Sequence, residues 1–474
     1  MMGFIYSLEK NYSVPSYIST LTSGAIQLGA VFGQLFLGHL ADLYGRVRIY
    51  KISLLIVLIG MIGSSLSAKL ESGLSLYGLY GMWRLFTGIG FGAVYPATAL
   101  IVCEYAPTKW RGAICAAVFA MQGLAILIGP IVFMIFLSTY QAVNFSNPFN
   151  LDSVWRLCIA VGVIPCLITM YLASKVPETP RYTMYIDDNL EKAENDVKFV
   201  IDRNEYREFR IIQKKVNKIK FWKDFKKHFA IRDNLKVLII LSVCRFVTNI
   251  GLYGINWNID SVLKAINIGY SKNNTNIMNS PNATKNVYTL NIDYSIGNLI
   301  VALLGAVPGY GLGIIFIEVL GRKKLQLISF FAVFAFFLGL AGSYDTIINK
   351  LEKPENAFTG IFFFLQLFLD IGFNTTVFVM PAEYFPTRFR STAYGISAAV
   401  GRIGALIVVG FNFIKDTDFK PSPPVYKQDA SKVALYYVFG VLMLVGAIVT
   451  FFLPETKRKP YCEIEMRTDN YITR

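Results

Sequence analysis

Residues 383–405 read EYFPTRFRSTAYGISAAVGRIGA: an apolar segment arrives at Glu383, a basic turn interrupts it, and a second apolar segment leaves. A shorter twin at residues 104–112, EYAPTKWRG, repeats the order acid, Tyr, any residue, Pro, Thr, base, any residue, Arg. Two further pairs share nearly the same offset of about 280 residues: Asp42-x-x-Gly45-Arg46 with Glu318-x-x-Gly321-Arg322, and Pro177-Glu178-Thr179 with Pro454-Glu455-Thr456. Three landmarks at one offset predict a duplicated domain.

Apolar runs around these landmarks reach the ~20 residues needed to cross a hydrocarbon core. With 54% hydrophobic residues and a mean hydropathy of +0.46, the chain is expected to be an all-α, polytopic membrane protein embedded in a lipid bilayer. The formal charge of +15 does not point to nucleic acid, because Lys and Arg gather in short segments between apolar runs. Cys103, Cys115, Cys158, Cys166, Cys244 and Cys462 show no CxxC spacing, so neither a disulfide scaffold nor a metal site is expected. No cofactor motif and no nucleophile constellation is visible, which argues against an enzyme.

Five spans are predicted at about Leu21–Ala41, Ile52–Ala68, Leu79–Val102, Ala113–Leu137 and Trp155–Ala173. Six follow at about Val237–Leu263, Ile292–Ile317, Leu325–Ala341, Phe358–Met380, Ala393–Phe413 and Val433–Phe452. The expected organisation is an N-terminal half (1–174), a central loop (175–236), a C-terminal half (237–453) and a tail (454–474). Asp42 should close the second helix of its half, as Glu318 does, so the first of twelve helices is expected to be absent. A truncated gene and a genuine loss are both open readings.

The basic turns all fall on one side of this topology, the cytosolic side by the positive-inside rule. The glycosylation sequons at Asn11, Asn144, Asn273 and Asn282 fall on the other. Together they predict a membrane of the secretory pathway, the plasma membrane by default.

At the cytosolic turns Asp42, Arg46, Glu104, Arg111, Glu318, Arg322, Glu383 and Arg388 are expected to form ion pairs that break when the halves rock. Glu104 is the expected partner of Arg46 or Arg111. The alternative is that these residues only anchor helix ends and fix topology. Glycines 88, 90 and 92 read as packing positions. The basic, aromatic segment KKVNKIKFWKDFKKHF is either an amphipathic helix on anionic lipid or a solvated linker.

Parallel six-helix repeats resemble the major facilitator superfamily. More specifically, APTKWRGAICAAVFAMQG, VPETPRYTM and FNTTVFVMPAEYFPTRFRSTAYGISAAVGRIGA resemble the phosphate:proton symporter family typified by fungal high-affinity phosphate permeases. The resemblance implies a phosphate site between the halves, with Tyr95 and Gln122 from the first half and Tyr253 and Asn374 from the second. Where the family has Trp, Asp and Lys, this chain has Arg245, Asn249 and Arg402. Three family carboxylates are missing, Val94 standing at one of their places.

Arg245, Asn249 and Tyr253 are spaced to form one polar stripe on a helix. Arg245 and Arg402 are expected to bind phosphate oxygens, Arg245 through its two-pronged guanidinium. The alternative is a structural ion pair of Arg245 with Asp370. Asp370, four residues before Asn374, is the remaining intramembrane acid and the proton-coupling candidate. The resulting expectation is a monomeric transporter of phosphate or a related small anion by alternating access, with proton coupling open. An organic ion or sugar transporter, and a non-transporting membrane sensor or inactive paralogue, are the alternatives.

Overall fold

The computed structural model describes residues 16–67, 76–143, 149–185, 221–257, 283–350, 354–417 and 425–461. All four sequons lie outside the described residues, as do Cys462 and most of the central loop. The first half contributes α1 (Ser16–Tyr44), α2 (Arg46–Ser65), α3 (Leu76–Tyr105), α4 (Arg111–Val143) and α5 (Phe149–Lys175). A short α6 (Pro180–Tyr185) follows, and then α7 (Phe221–Phe229), which precedes the second half. That half comprises α8 (Arg232–Trp257), α9 (Ala283–Val301), α10 (Val307–Val319), α11 (Arg322–Lys350), α12 (Pro354–Ile371), α13 (Phe373–Tyr384), α14 (Arg390–Thr417) and α15 (Val425–Phe451).

Among the described residues 11 helical segments are long and apolar enough to cross a membrane. The protein is a multi-pass membrane protein. Two of these spans depart from the single straight helices that hydropathy predicts. A π-turn at Ala302–Ala306 joins α9 to α10, where Pro308 lacks the N–H that would bond the carbonyl four residues earlier. The span containing Asp370 and Asn374 is split at Gly372, whose backbone is non-helical; a Cβ there would lie 1.6 Å from the Ser329 Oγ.

Glycines set the packing of the first half. Gly29 and Gly33 of α1 face backbone carbonyls of α3, while Gly88 and Gly92 of α3 face those of α1. A Cβ at Gly33 would stand 2.0 Å from the Ile89 carbonyl oxygen, so the helices approach backbone to backbone. Gly90 and Gly60 do the same between α2 and α3. Between the halves, α1 packs on α14 where Gly38 meets Gly395, and α4 packs on α10.

The internal repeat acts at the helix starts. Gly45 and Gly321 have positive φ (110° and 89°), which favours glycine. The Glu178 carboxylate accepts the N–H groups of Arg46 and Val47 (2.9 and 3.0 Å), capping α2. Glu455 accepts those of Arg322 and Lys323 (both 3.1 Å), capping α11. Each PET motif therefore satisfies the orphan donors of a helix start elsewhere in its own half.

The central segment resolves into a docked helix. On α7, Phe221, Phe225, His228 and Phe229 are buried against Phe385, Phe389 and His39, whereas Trp222, Lys223, Lys226 and Lys227 are exposed. The apolar face of residues 221–229 thus meets protein; residues 214–220 of the same basic segment lie outside the described residues.

Candidate functional site

Two polar systems join the halves. At the basic ends of the helices, buried ion pairs are exchanged across the pseudo-symmetry axis. Glu104 accepts from Arg46 of its own half (3.2 Å) and from Arg390 of the other (2.8 Å). Glu383 accepts from Arg322 of its own half (2.9 Å) and from Arg111 of the other (3.1 Å). The acids that end α1 and α10 reach across as well. Asp42 accepts the backbone N–H groups of Ser391 and Thr392 at the start of α14, and Glu318 accepts that of Ala113 at the start of α4. Each acid also stands beside the arginine four residues on. A carboxylate at a helix N-terminus is favoured by the helix dipole, so both contacts stabilise the packing of one half on the other at this face.

Glu104 thus pairs with Arg46 and Arg390, while Arg111 goes to Glu383. Arg388 does not belong to this set: it pairs with Asp224 on α7. Arg390, which occupies the repeat position of Arg111, takes the place expected for Arg388. Tyr461 closes the face from the tail, its ring lying 4.2 Å from both the Arg111 and Arg390 guanidinium carbons.

Deeper between the halves lie the two arginines read from the sequence. Arg245 is 3% exposed. Its Nη2 donates to the Val377 carbonyl (2.7 Å), the Tyr394 hydroxyl (3.0 Å) and the Tyr95 hydroxyl (3.3 Å). The Val377 carbonyl is available because Pro381, four residues on inside α13, has no N–H to give it. Nη1 of Arg245 is buried and has no hydrogen-bond partner among the described residues. The guanidinium also rests over the Tyr95 and Tyr394 rings at 4.9 and 4.7 Å.

Arg402 donates to Gln27 Oε1 (2.9 Å) and to the Tyr253 hydroxyl (2.6 Å), and Gln27 Nε2 donates to the same hydroxyl (2.9 Å). Asn249 is half-buried where α8 passes Gly401; a Cβ at that glycine would lie 2.5 Å from Asn249 Nδ2. Tyr95, Arg245, Tyr253 and Arg402 therefore converge with Gln27 and Tyr394. Gln122 does not join them: it is exposed on α4, beside Gly123, which packs on Tyr310.

Asp370, 1% exposed, forms no ion pair with Arg245. Its carboxylate accepts from Gln366 Nε2 (2.8 Å) and Asn374 Nδ2 (3.0 Å), and Asn374 Nδ2 also donates to the Tyr310 hydroxyl (2.7 Å). The structural ion pair considered from the sequence is replaced by two separate arrangements. One is an arginine held by aromatics and a freed carbonyl, the other an acid held by amides.

Sequence reasoning missed Gln27, Tyr310, Tyr394, the capping role of Glu178 and Glu455, and the role of Pro381. Pro381 carried a legible signal, a proline four residues after Val377 within a span. The others required the packing.

The model of the sugar (and other) transporter family matches residues 3–467. The repressible high-affinity phosphate permease of Neurospora crassa is 31% identical, covering 99% of this chain and 82% of its own length. Inorganic phosphate transporter 1-1 of Arabidopsis thaliana is 33% identical, covering 98% and 89%. Among solved structures, the major facilitator superfamily proton:xylose symporter XylE bound to 6-bromo-6-deoxy-D-glucose superposes with a TM-score of 0.73 at 19% identity, covering 98% of this chain and 94% of its own. That likeness establishes a common fold. The chain belongs to the sugar (and other) transporter family, a family of transporters rather than enzymes, with phosphate permeases of fungi and plants as relatives along nearly its whole length.

Proposed function

We propose that the protein moves inorganic phosphate or a closely related oxyanion across the plasma membrane by alternating access, as a monomer whose halves rock about the interhalf site. The observation that carries this reading is the pair Arg245 and Arg402. Both project between the halves, and among the described residues neither is paired with a carboxylate and Arg245 keeps Nη1 buried and unpartnered. A buried guanidinium without a counter-charge is costly, and a tetrahedral oxyanion supplies both the charge and the acceptors. The phosphate permeases among its relatives favour phosphate over an organic ion or sugar.

Arg245, Arg402, Tyr95, Tyr253, Asn249 and Asn374 bind the anion, and Gln122 reaches it only in another conformation of the halves. The exchanged ion pairs of Glu104 and Glu383 form the gate on the basic, cytosolic side. Uptake of radiolabelled phosphate into liposomes containing the purified chain, at two pH values, tests the reading. Saturable uptake blocked by competing oxyanions is expected. Absence of uptake at both pH values would overturn transport, and a phosphate-dependent conformational change without flux would make the protein a sensor.

A further inference from the structure

Asp370, Gln366, Asn374 and Tyr310 are all buried, at 1, 6, 5 and 2% exposure. No lysine or arginine among the described residues pairs with Asp370; the carboxylate is held by neutral donors alone. The only titratable group facing it among the described residues is Tyr310 of α10, whose neighbour Gly309 packs on the Asp370 Cβ.

In the anion reading above, Asn374 is the group that this cluster has in common with the interhalf site. It stands in the first turn of α13, three residues before Val377, whose carbonyl takes Arg245 Nη2. Tyr310 in turn touches Phe119, and Phe119 touches Tyr95, so the same cluster borders the aromatic wall under Arg245. The helix break at Gly372, between Asp370 and Asn374, lets one side of the cluster turn without the other.

Resting on the anion reading above, we propose that Asp370 is the proton-carrying residue and that Asn374 links its proton to anion occupancy. With the site empty, Asn374 Nδ2 serves the Asp370 carboxylate and the Tyr310 oxygen. When the anion arrives, Asn374 turns its amide to an anion oxygen, and both acceptors lose that donor. A hydronium ion arriving with the anion then gives its proton to Asp370 and leaves as water, and the new O–H donates to the Tyr310 oxygen that Asn374 has left. One donor leaves the cluster and one enters, so every buried oxygen keeps a partner. The proton and the anion enter together because each vacates the place the other needs, and release of the anion returns Asn374 and expels the proton.

The test is reconstitution of the full chain with an imposed pH gradient, following radiolabelled phosphate and lumenal pH together. In Asp370→Asn, phosphate exchange at equal pH stays within about twofold of wild type, while gradient-driven accumulation falls by about tenfold or more and phosphate entry no longer acidifies the lumen. Asp370→Glu keeps coupled entry with a shifted pH profile and decides the matter if the amide variant does not fold. Accumulation and lumenal acidification unchanged in Asp370→Asn, or a pH profile unchanged in Asp370→Glu, overturns the proposal while leaving the anion site standing. Loss of phosphate exchange in wild type itself overturns the anion reading, and this proposal with it.

Discussion

Arg245 has two tasks in this structure, and they can be separated through Pro381. Nη2 satisfies a carbonyl that the proline leaves without its helical donor, whereas Nη1 has no partner among the described residues and is the group assigned to the anion in the proposed function. Arg245→Gln should therefore lose anion binding and also leave the buried Val377 carbonyl bare, a penalty of about 1–3 kcal/mol. Pro381→Ala returns an N–H in register with that carbonyl. In the Pro381→Ala background the stability penalty of Arg245→Gln should shrink by the same ~1–3 kcal/mol, while the loss of anion affinity remains complete.

The assay is a double-mutant cycle read twice on the same four proteins. Thermal unfolding in detergent reports stability, and equilibrium phosphate binding reports the site. Other consequences of removing the guanidinium, including relief of its desolvation, occur in both backgrounds and cancel in the cycle. Equal destabilisation by Arg245→Gln with and without Pro381 would refute the assignment of Nη2 to the freed carbonyl. Rescue of phosphate binding by Pro381→Ala would refute the assignment of Nη1.

Three further outcomes follow from other parts of the molecule. Glu104→Gln leaves the wholly buried Arg46 and Arg390 without their common counter-charge, with Asp42 still 3.8 Å from Arg46. A penalty of about 3 kcal/mol on the closed basic face shifts the open-to-closed ratio about 150-fold, to be read as lengthening of the distance between labels at the exposed Lys109 and Lys324. Gly33→Ala places a methyl 2.0 Å from the Ile89 carbonyl and should destabilise the α1–α3 contact by about 1–3 kcal/mol, whereas Gly129→Ala, with nothing within 4 Å, should leave the melting temperature unchanged. His228, outside the membrane-spanning segments, is pushed by burial from 6.5 down to about 4. Docked α7 therefore holds His228 neutral; its docking is fully stable above pH 6.5 and weakens as pH falls towards 4, by about 1.4 kcal/mol at pH 5.5. Hydrogen exchange of α7 should show this dependence, and His228→Gln should abolish it.

The architecture was legible because each of its causes is local. Span length follows from runs of apolar residues, and the repeat from short motifs at helix ends, so the eleven spans appear where hydropathy put them. The two broken spans also had written signals, Pro308 and Gly372, which a hydropathy window averages away. The site was legible only in part. Arg245, Tyr253 and Arg402 could be placed from helical spacing and family resemblance, but their partners come from other helices. Tyr394 and Gln27 carry no pattern that marks them. The repeat aligns Arg390 with Arg111, and it is Arg390 that pairs with Glu104 while Arg388 pairs with Asp224.

The two arginine-rich regions differ in a way that bears on how transport could be organised. At the basic face Arg46, Arg111, Arg322 and Arg390 each meet a buried carboxylate, so that the closed state contains its own counter-charges. At the interhalf site the hydrogen-bond and ring partners of Arg245 and Arg402 among the described residues are hydroxyls, a backbone carbonyl, an amide oxygen and tyrosine rings. Neutral acceptors stabilise a guanidinium but do not cancel its charge, and in a membrane-buried site the remaining cost is substantial. On the proposed reading, the gate is therefore electrostatically complete without a ligand and the anion site is not. An anion between the halves would, on the same reading, supply the missing charge to residues of α8 and α14 at once, and α14 also carries Arg390 of the basic face about 18 Å away along the same helix. On that reading occupancy and closure are connected through a single helix, and substitutions at Arg402, whose hydrogen bonds go to Gln27 and Tyr253, should alter the opening of the basic face.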